Sequence, residues 1–63
     1  MKLKEGDKIK DTDGNEVTFL AVYGVNRDFD FVGKNKEGVV RNYAWHYIEN
    51  GDQLEKDNPG TIF

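Results

Sequence analysis

His46 is the only histidine of this 63-residue chain, and a histidine beside a carboxylate can serve as a general base. The strand register that the turns predict brings Asp28 near it across the third hairpin. The commonest nucleophiles are absent, because the sequence contains neither serine nor cysteine, and none of its three threonines lies beside a candidate base. A surface His–Asp pair of little energetic weight is the simpler interpretation. We therefore predict a protein without enzymatic activity.

Residues 11–15, Asp-Thr-Asp-Gly-Asn, carry oxygen ligands at the first, third and fifth positions of a calcium-binding loop. The spacing then departs from that loop. Gly14 stands at the fourth position instead of the sixth, and Val22 stands at the twelfth, where a bidentate glutamate is required. A charged β-turn explains the same residues. Since one histidine without a thiol does not build the usual closed zinc site, we predict no metal and no cofactor.

The charge balance bears on the class of partner. Twelve acidic and nine basic residues give a formal net charge of −3, which argues against the positive field on which non-specific nucleic-acid binding depends. The N-terminal lysines alternate with acidic residues and predict a solvated strand. Because no apolar stretch follows these lysines, we expect neither a signal peptide nor a membrane anchor. The absence of cysteine fits a reducing compartment, so we predict a soluble cytoplasmic protein.

Tyr43, Trp45 and Tyr47 alternate along the chain around His46. In a β-strand the three rings would share one side and His46 would lie on the other. The rings could form a ligand platform or part of the core. A chain of this length, with no disulfide, needs a dense core, and large aromatic side chains supply one. We therefore predict that the rings are mostly core.

Turn signals set the register of the strands. Residues 12–14 and 36–38 each end in glycine, which is typical of a three-residue hairpin loop closed by a left-handed glycine. These loops predict that Ile9 faces Val17 and that Phe31 faces Tyr43. Residues 26–28 form a similar connection without glycine and would set Tyr23 opposite Phe31. Residues 50–51, Asn-Gly, predict a two-residue hairpin that pairs Tyr47 with Leu54 and adds a fifth strand.

These registers predict one continuous apolar face, on which Arg41 is the only charged residue near the middle. An up-and-down sheet of five short strands with one face to bury should curl into a small barrel. The long run from 39 to 49 must bend or contain a short helical turn near residues 44–46. The predicted inward side chains are Ile9, Val17, Phe19, Ala21, Tyr23, Val25, Phe29, Phe31, Val39, Tyr43, Trp45, Tyr47 and Leu54.

The opening residues 5–9, Glu-Gly-Asp-Lys-Ile, together with the strand count and turn spacing, resemble the SH3-like small β-barrels, the fold of SH3, KOW and Tudor modules. The resemblance covers residues 6–55 and is one of architecture, so it implies an all-β fold in meander order and no specific family. The paired tryptophans of SH3 domains are missing, and recognition of proline-rich peptides is therefore not implied. We predict a single domain over residues 1–63, with the barrel at 6–55 and a C-terminal tail at 56–63.

The opposite face of the sheet should be uniformly polar if it meets only solvent, yet the register places a small apolar strip there. Val22 would face Val32, and Ile48 would point the same way. Such patches often mark partner surfaces. Alternatively, Ile62 and Phe63 cover the strip themselves, and Leu3 could make a similar intramolecular cover. The residues of the proposed partner site are Leu20, Val22, Val32 and Val40, with Asp28, Asp30 and His46 supplying orientation.

Two functions follow as expectations. The first is a non-enzymatic interaction protein that binds a protein partner through the outer strip, as a monomer or weak homodimer. The second is a KOW-like nucleic-acid-binding barrel, in which lysines and an arginine contact phosphates while an exposed ring stacks on a base. Its contacts would be Lys8, Lys10, Lys34 and Arg41. An edge strand that pairs with another molecule is a third way of making contact.

Overall fold

The computed structural model describes residues 1–22 and 30–59. They form an antiparallel sheet in the meander order β1-β2-β3-β4, followed by a 3-10 helix and one α-helix. This confirms a mostly-β chain with sequential strands. The elements are β1 (Lys8–Lys10), β2 (Glu16–Val22), β3 (Phe31–Lys34), β4 (Val40–Tyr43), the 3-10 helix (Trp45–Tyr47) and α1 (Gly51–Asp57).

The two glycine-closed hairpins have the predicted registers. Ile9 lies opposite Val17, and Phe31 lies opposite Tyr43. Both loop glycines are left-handed, with φ of 84° at residue 14 and 83° at residue 38. In the first loop Asp11 Oδ1 accepts hydrogen bonds from the backbone N–H groups of residues 13 and 15, and Asn35 Oδ1 does the same for residues 37 and 39. Local turn chemistry therefore fixes both registers.

The register predicted for the middle hairpin is wrong. Phe31 lies opposite Val22 and not Tyr23, and Val32 lies opposite Ala21 and not Val22. A β-bulge between Phe19 and Ala21 inserts one extra residue into β2, so the pairing shifts by one residue within this hairpin. Because side chains alternate, the extra residue exchanges the two faces for the rest of the strand. The loop at 26–28 itself lies outside the described residues.

The hairpin predicted at Asn50 and Gly51 is also wrong, since these residues begin α1. A type I′ turn needs positive φ at both residues, but only Asn50 has it, at 59°. The Asn50 carbonyl instead accepts a hydrogen bond from the N–H of Leu54. Residues 52–56, Asp-Gln-Leu-Glu-Lys, contain no β-branched side chain and suit a helix better than a strand. No helix of the described ranges has the length and apolar character to cross a membrane.

The short helical turn predicted near residues 44–46 is present as the 3-10 helix. Beyond it the chain returns to the first strand. A single antiparallel bridge joins Asp11 to Ile48, flanked by hydrogen bonds from Thr12 N to Tyr47 O (2.8 Å) and from Glu49 N to Lys10 O (2.9 Å). Over residues 1–22 and 30–59 the sheet has four strands, and it is not closed into a barrel.

Phe31 is fully buried at the centre of the core. Its ring stacks on Tyr43 at a centroid distance of 5.3 Å and on Trp45 at 4.5 Å, and it lies 5.7 Å from the ring of Phe19. The core prediction is thus confirmed for Trp45, which is only 4% exposed. The buried core cluster is Leu3, Ile9, Val17, Phe19, Phe31, Trp45, Ile48 and Leu54.

Several predicted orientations are corrected. Ala21, Val39 and Tyr47 are exposed and not inward. Ile48 is buried and not on the outer face, because the 3-10 helix has about three residues per turn and sets Ile48 on the same side as Trp45. Three further predicted core residues lie outside the described ranges, namely Tyr23, Val25 and Phe29.

Candidate functional site

The outer apolar strip is not continuous in the structure. Val22 packs against the core cluster, because the bulge in β2 turns it inward. Leu20 and Val32 are half-buried. Of the four apolar strip residues, only Val40 is exposed, at 55%. The four valine and leucine side chains therefore do not form the common surface that the sequence register places on one face. The residues Ile62 and Phe63, predicted as a cover, lie outside the described ranges.

The polar residues assigned to that strip also separate. Asp30 is half-buried, and its Oδ2 accepts a hydrogen bond from the backbone N–H of Trp45 at 2.8 Å. It therefore holds the start of the 3-10 helix. His46 is exposed, and its ring centroid lies 4.0 Å from that of Tyr47. Asp28, the predicted partner of His46, lies outside the described residues.

The cations of the nucleic-acid alternative lie on two faces. Lys8 and Lys34 both lie in register with Thr18, on the outer face of the sheet. Arg41 lies opposite Gly33, on the inner face that also carries Phe31. Lys8 Nζ is also held by its neighbours, at 2.9 Å from the Thr18 hydroxyl and 3.4 Å from Glu16. Lys10 lies beside Lys8 on the outer face, so Arg41 stands apart from the lysines.

A groove of about 470 Å³ opens at the end of the inner face, between β4 and the loop that joins β1 to β2. Its lining consists of residues 41–44, residues 11–13, His46 and Tyr47. We call it the Tyr43–Tyr47 groove. Its volume is within the range of about 300–1,000 Å³ typical of ligand sites, and it is open to solvent.

Tyr43 connects the groove to the core. One face of its ring stacks on Phe31, and its Cε2 would lie 3.2 Å from a Cβ placed on Gly33. A glycine at position 33 therefore leaves the space that the Tyr43 ring covers. Burial raises the pKa of the Tyr43 phenol above its ordinary value of 10.0; Arg41 acts to lower this pKa and Asp11 to raise it. A cation and a carboxylate of the groove therefore shift the pKa of this phenol in opposite directions.

The open side of the groove combines an aromatic ring with a guanidinium group. Tyr47 is 60% exposed, and Arg41 is exposed. Among residues 1–22 and 30–59, Arg41 has no carboxylate within ion-pair distance. Tyrosine and arginine are, with tryptophan, enriched among the residues that contribute most binding energy at protein interfaces. The groove can therefore bind by stacking, by hydrogen bonding and by charge.

The sequence predicts Arg41 near the middle of an apolar face. That position is the one feature of the sequence that could have indicated the groove. A lone cation on such a face indicates that the face opens to solvent there. The roles of Thr12, Asp13 and Tyr47 were missed, because they depend on the return of residues 47–49 to β1. That pairing joins positions far apart in the sequence and leaves no local pattern.

Comparison with known proteins adds no relative, since no family model, no curated protein and no solved structure matches this chain. The interpretation of the groove therefore depends on its own side chains. Of the residues predicted as sites, the structure brings His46 and Arg41 to the Tyr43–Tyr47 groove, and it places the others elsewhere or outside the described ranges.

Proposed function

We propose that this chain is a small non-enzymatic interaction domain that binds a protein partner through the Tyr43–Tyr47 groove. The observation that carries this proposal is an open tyrosine, Tyr47, beside an arginine, Arg41, on a groove whose floor is anchored to the core by Tyr43. Rigid aromatic side chains bind with a small loss of conformational entropy, and Tyr43 is already held by Phe31. The outer strip supports this function less well, because it is divided by the bulge.

The proposal includes an SH3-like arrangement of the strands and a cytoplasmic location. The arrangement is supported by the order of four meander strands, a 3-10 helix, and a return segment that bridges Ile48 to Asp11 at the edge of β1. Such a return is the step by which a curled sheet approaches closure. The cytoplasmic location is supported by the cysteine-free composition.

Nucleic-acid binding is the less supported alternative. It needs cations and an exposed ring on one surface, since phosphates and bases of one strand are contacted together. Here Arg41 and Tyr47 lie at the groove, whereas Lys8 and Lys34 lie on the outer face. The net charge of −3 further weakens the attraction to phosphate.

Selection of random peptides displayed on phage against the immobilised chain tests the proposal. We expect selected peptides to bind Tyr47→Ala and Arg41→Ala at least about tenfold more weakly than the parent chain, as is common for interface anchors. Lys34→Ala, an exposed change on the outer face, is the matched control and should bind normally. Tyr47→Ala should fold, because its ring is mostly in solvent.

Two outcomes would contradict the proposal. Peptides that bind both groove variants normally but fail to bind Val40→Asp would place the site on the outer face. Retention of generic RNA or single-stranded DNA at low ionic strength, lost on Arg41→Ala and weakened steeply by salt, would instead support nucleic-acid binding.

A further inference from the structure

Residues 41–43 of β4 line the Tyr43–Tyr47 groove, and the edge of β4 that faces away from β3 pairs with no strand within residues 1–22 and 30–59. We propose that this edge accepts an extended, basic segment of a partner protein as an additional antiparallel or parallel strand. The inference rests on the proposed function and names the form and charge of the partner segment. Strand addition gives affinity through main-chain hydrogen bonds and specificity through alternate side chains.

The register of the third hairpin shows which groups of β4 are available. The hydrogen bond from Asn35 N to Val39 O, at 3.0 Å, makes this a hydrogen-bonded pair. Hydrogen-bonded and non-hydrogen-bonded pairs alternate in an antiparallel ladder, so Arg41 is paired with Gly33 in the same way. The N–H and C=O groups of Val40 and Asn42 are therefore directed away from β3. Among residues 1–22 and 30–59, no strand pairs with this second edge.

The lining of the groove shows that it follows this edge. Residues 41–44 are consecutive, and all four line the groove. Successive side chains of a strand point to opposite faces, so one face alone would contribute only every second residue. The wall is therefore the edge of the strand itself, with Asn42 near its middle. Four residues of extended chain span about 13 Å, which sets the length of the contact.

Exposed strand edges are usually protected by charged side chains, proline or a covering element. β4 is exposed along Val40, Arg41 and Asn42, contains no proline, and carries Arg41 as its one charged residue. It also carries β-branched Val40 beside exposed Val39. This edge thus retains the features of a pairing surface.

The charge of the groove selects the partner segment. Arg41 and Asp11 both line the groove and carry opposite formal charges. Asp13 is a second carboxylate in the lining, and it is exposed. The whole chain carries a net charge of −3, which attracts a basic segment from a distance. Lysine or arginine on the added strand would lie across the groove toward Asp13.

The test uses the full chain and three synthetic hexapeptides, measured by fluorescence polarisation. The probes are an alternating Lys-Val peptide, an alternating Glu-Val peptide, and the Lys-Val peptide with backbone N-methyl groups on alternate residues. We expect the Lys-Val peptide to bind most tightly. N-methylation on the edge that faces β4 should weaken binding at least about tenfold, since it removes the donors of the new ladder.

Two charge variants give a matched comparison. Asp13→Lys should weaken binding of the Lys-Val peptide by about tenfold and strengthen binding of the Glu-Val peptide. Glu55→Lys makes the same change of charge at an exposed position of α1, and it should alter the affinities for the two peptides only slightly. Amide hydrogen exchange gives a site-specific readout, in which the Lys-Val peptide should slow exchange at Val40 and Asn42.

Equal binding of the N-methylated and parent peptides would overturn strand addition, as would unchanged exchange at Asn42. Preference for the Glu-Val peptide would overturn the assignment of charge. Concentration-dependent dimerisation that protects the same two amides, in the absence of peptide, would show that a second copy of the chain is the occupant. If phage-selected peptides still require Tyr47 while N-methylation has no effect, the proposed function stands and this inference fails.

Discussion

Gly51 lies so close to Trp45 that a Cβ built on it would overlap the Trp45 carbonyl oxygen. The N–H of Gly51 also donates to the Ile48 carbonyl at 2.9 Å. The first turn of α1 therefore rests directly on the 3-10 helix. Any side chain at position 51 must separate these two elements, and Trp45 would then lose its place over Phe31.

Gly51→Ala is expected to destabilise the fold strongly. Alanine normally stabilises a helix relative to glycine by about 1 kcal/mol. A loss of stability on this substitution would therefore indicate the close contact by its sign alone. We expect a loss of more than about 3 kcal/mol in the free energy of unfolding, because the overlap is with backbone. Urea unfolding monitored by tryptophan fluorescence measures it. Glu55→Ala, exposed in the same helix, is the control, and equal stability of the two variants would contradict the contact.

Asp30 should stabilise the 3-10 helix through one hydrogen bond to the N–H of Trp45. Asp30→Ala is expected to lower the free energy of unfolding by about 1–2 kcal/mol, as for the loss of a helix cap. Asp30→Asn keeps an oxygen acceptor at the same place and should retain most of that stability. Thermal unfolding followed by near-ultraviolet circular dichroism compares the two. Equal losses would mean that the hydrogen bond is not the cause.

Asn58 joins the N-terminal segment to the end of α1. It is 4% exposed, its Oδ1 accepts from Leu3 N at 2.7 Å, and its Nδ2 donates to the carbonyls of Met1 and Leu54 at 2.9 and 2.8 Å. Asn58→Ala leaves the buried Leu3 N–H without its acceptor and removes one of the two donors to the Leu54 carbonyl, which keeps the backbone N–H of residue 58. The change should cost about 1–3 kcal/mol. It should also speed the amide exchange of Leu3.

Asn35→Ala is the comparison for that variant. Asn35 also accepts from two backbone N–H groups, but these bonds are exposed to solvent, and water can replace them. Its loss should cost about 1 kcal/mol or less. If the two asparagine variants were equally stable, burial would not be what makes Asn58 important.

The parts of the fold that follow from local chemistry were predictable from sequence. Gly14 and Gly38 close their loops in the left-handed conformation, and each loop then determines the pairs on both sides of it. The centre of the core, with Phe31 opposite Tyr43, follows directly from the second of these loops.

The parts that depend on distant contacts were not predictable. The bulge at Leu20 has no glycine to mark it, and the one extra residue was enough to invert the positions of Ala21 and Val22. Asparagine adopts positive φ both in tight hairpins and at positions that flank helices, so the presence of Asn50 does not decide between the two structures. The close contact of Gly51 with Trp45 forms only when Gly51 is helical. It joins α1 to the 3-10 helix, so no pattern of adjacent residues predicts it.

The candidate site shows the same limit. His46 and Arg41 were identified by residue type, and both line the groove. Asp13 was assigned only to a turn, although it also lines the groove. Its position depends on the bridge between Asp11 and Ile48, and no local sequence pattern predicts that bridge.

The titration of Tyr43 tests the electrostatics of the groove. Burial is the main cause of the raised pKa of its phenol, while Arg41 lowers this pKa and Asp11 raises it. Arg41→Ala should therefore raise the pKa of Tyr43 further, and Asp11→Asn should lower it. Asparagine keeps the oxygen that accepts the turn hydrogen bonds, so the loop should persist. Carbon-13 NMR of labelled tyrosine measures each phenol separately, and Tyr43→Phe assigns its resonance.

The same shift predicts how stability changes at alkaline pH. The unfolded chain ionises Tyr43 near the ordinary value of 10.0, whereas the folded chain keeps the phenol neutral to a higher pH. The contribution of the neutral phenol is complete below 10.0 and is lost as the pH rises through the folded-state pKa. Tyr43→Phe should lack this part of the alkaline loss, although it is otherwise packed alike on Phe31. An identical pH dependence of unfolding in the parent and in Tyr43→Phe would show that the phenol lies in solvent, and that the groove is more open than its contacts with Gly33 and Phe31 indicate.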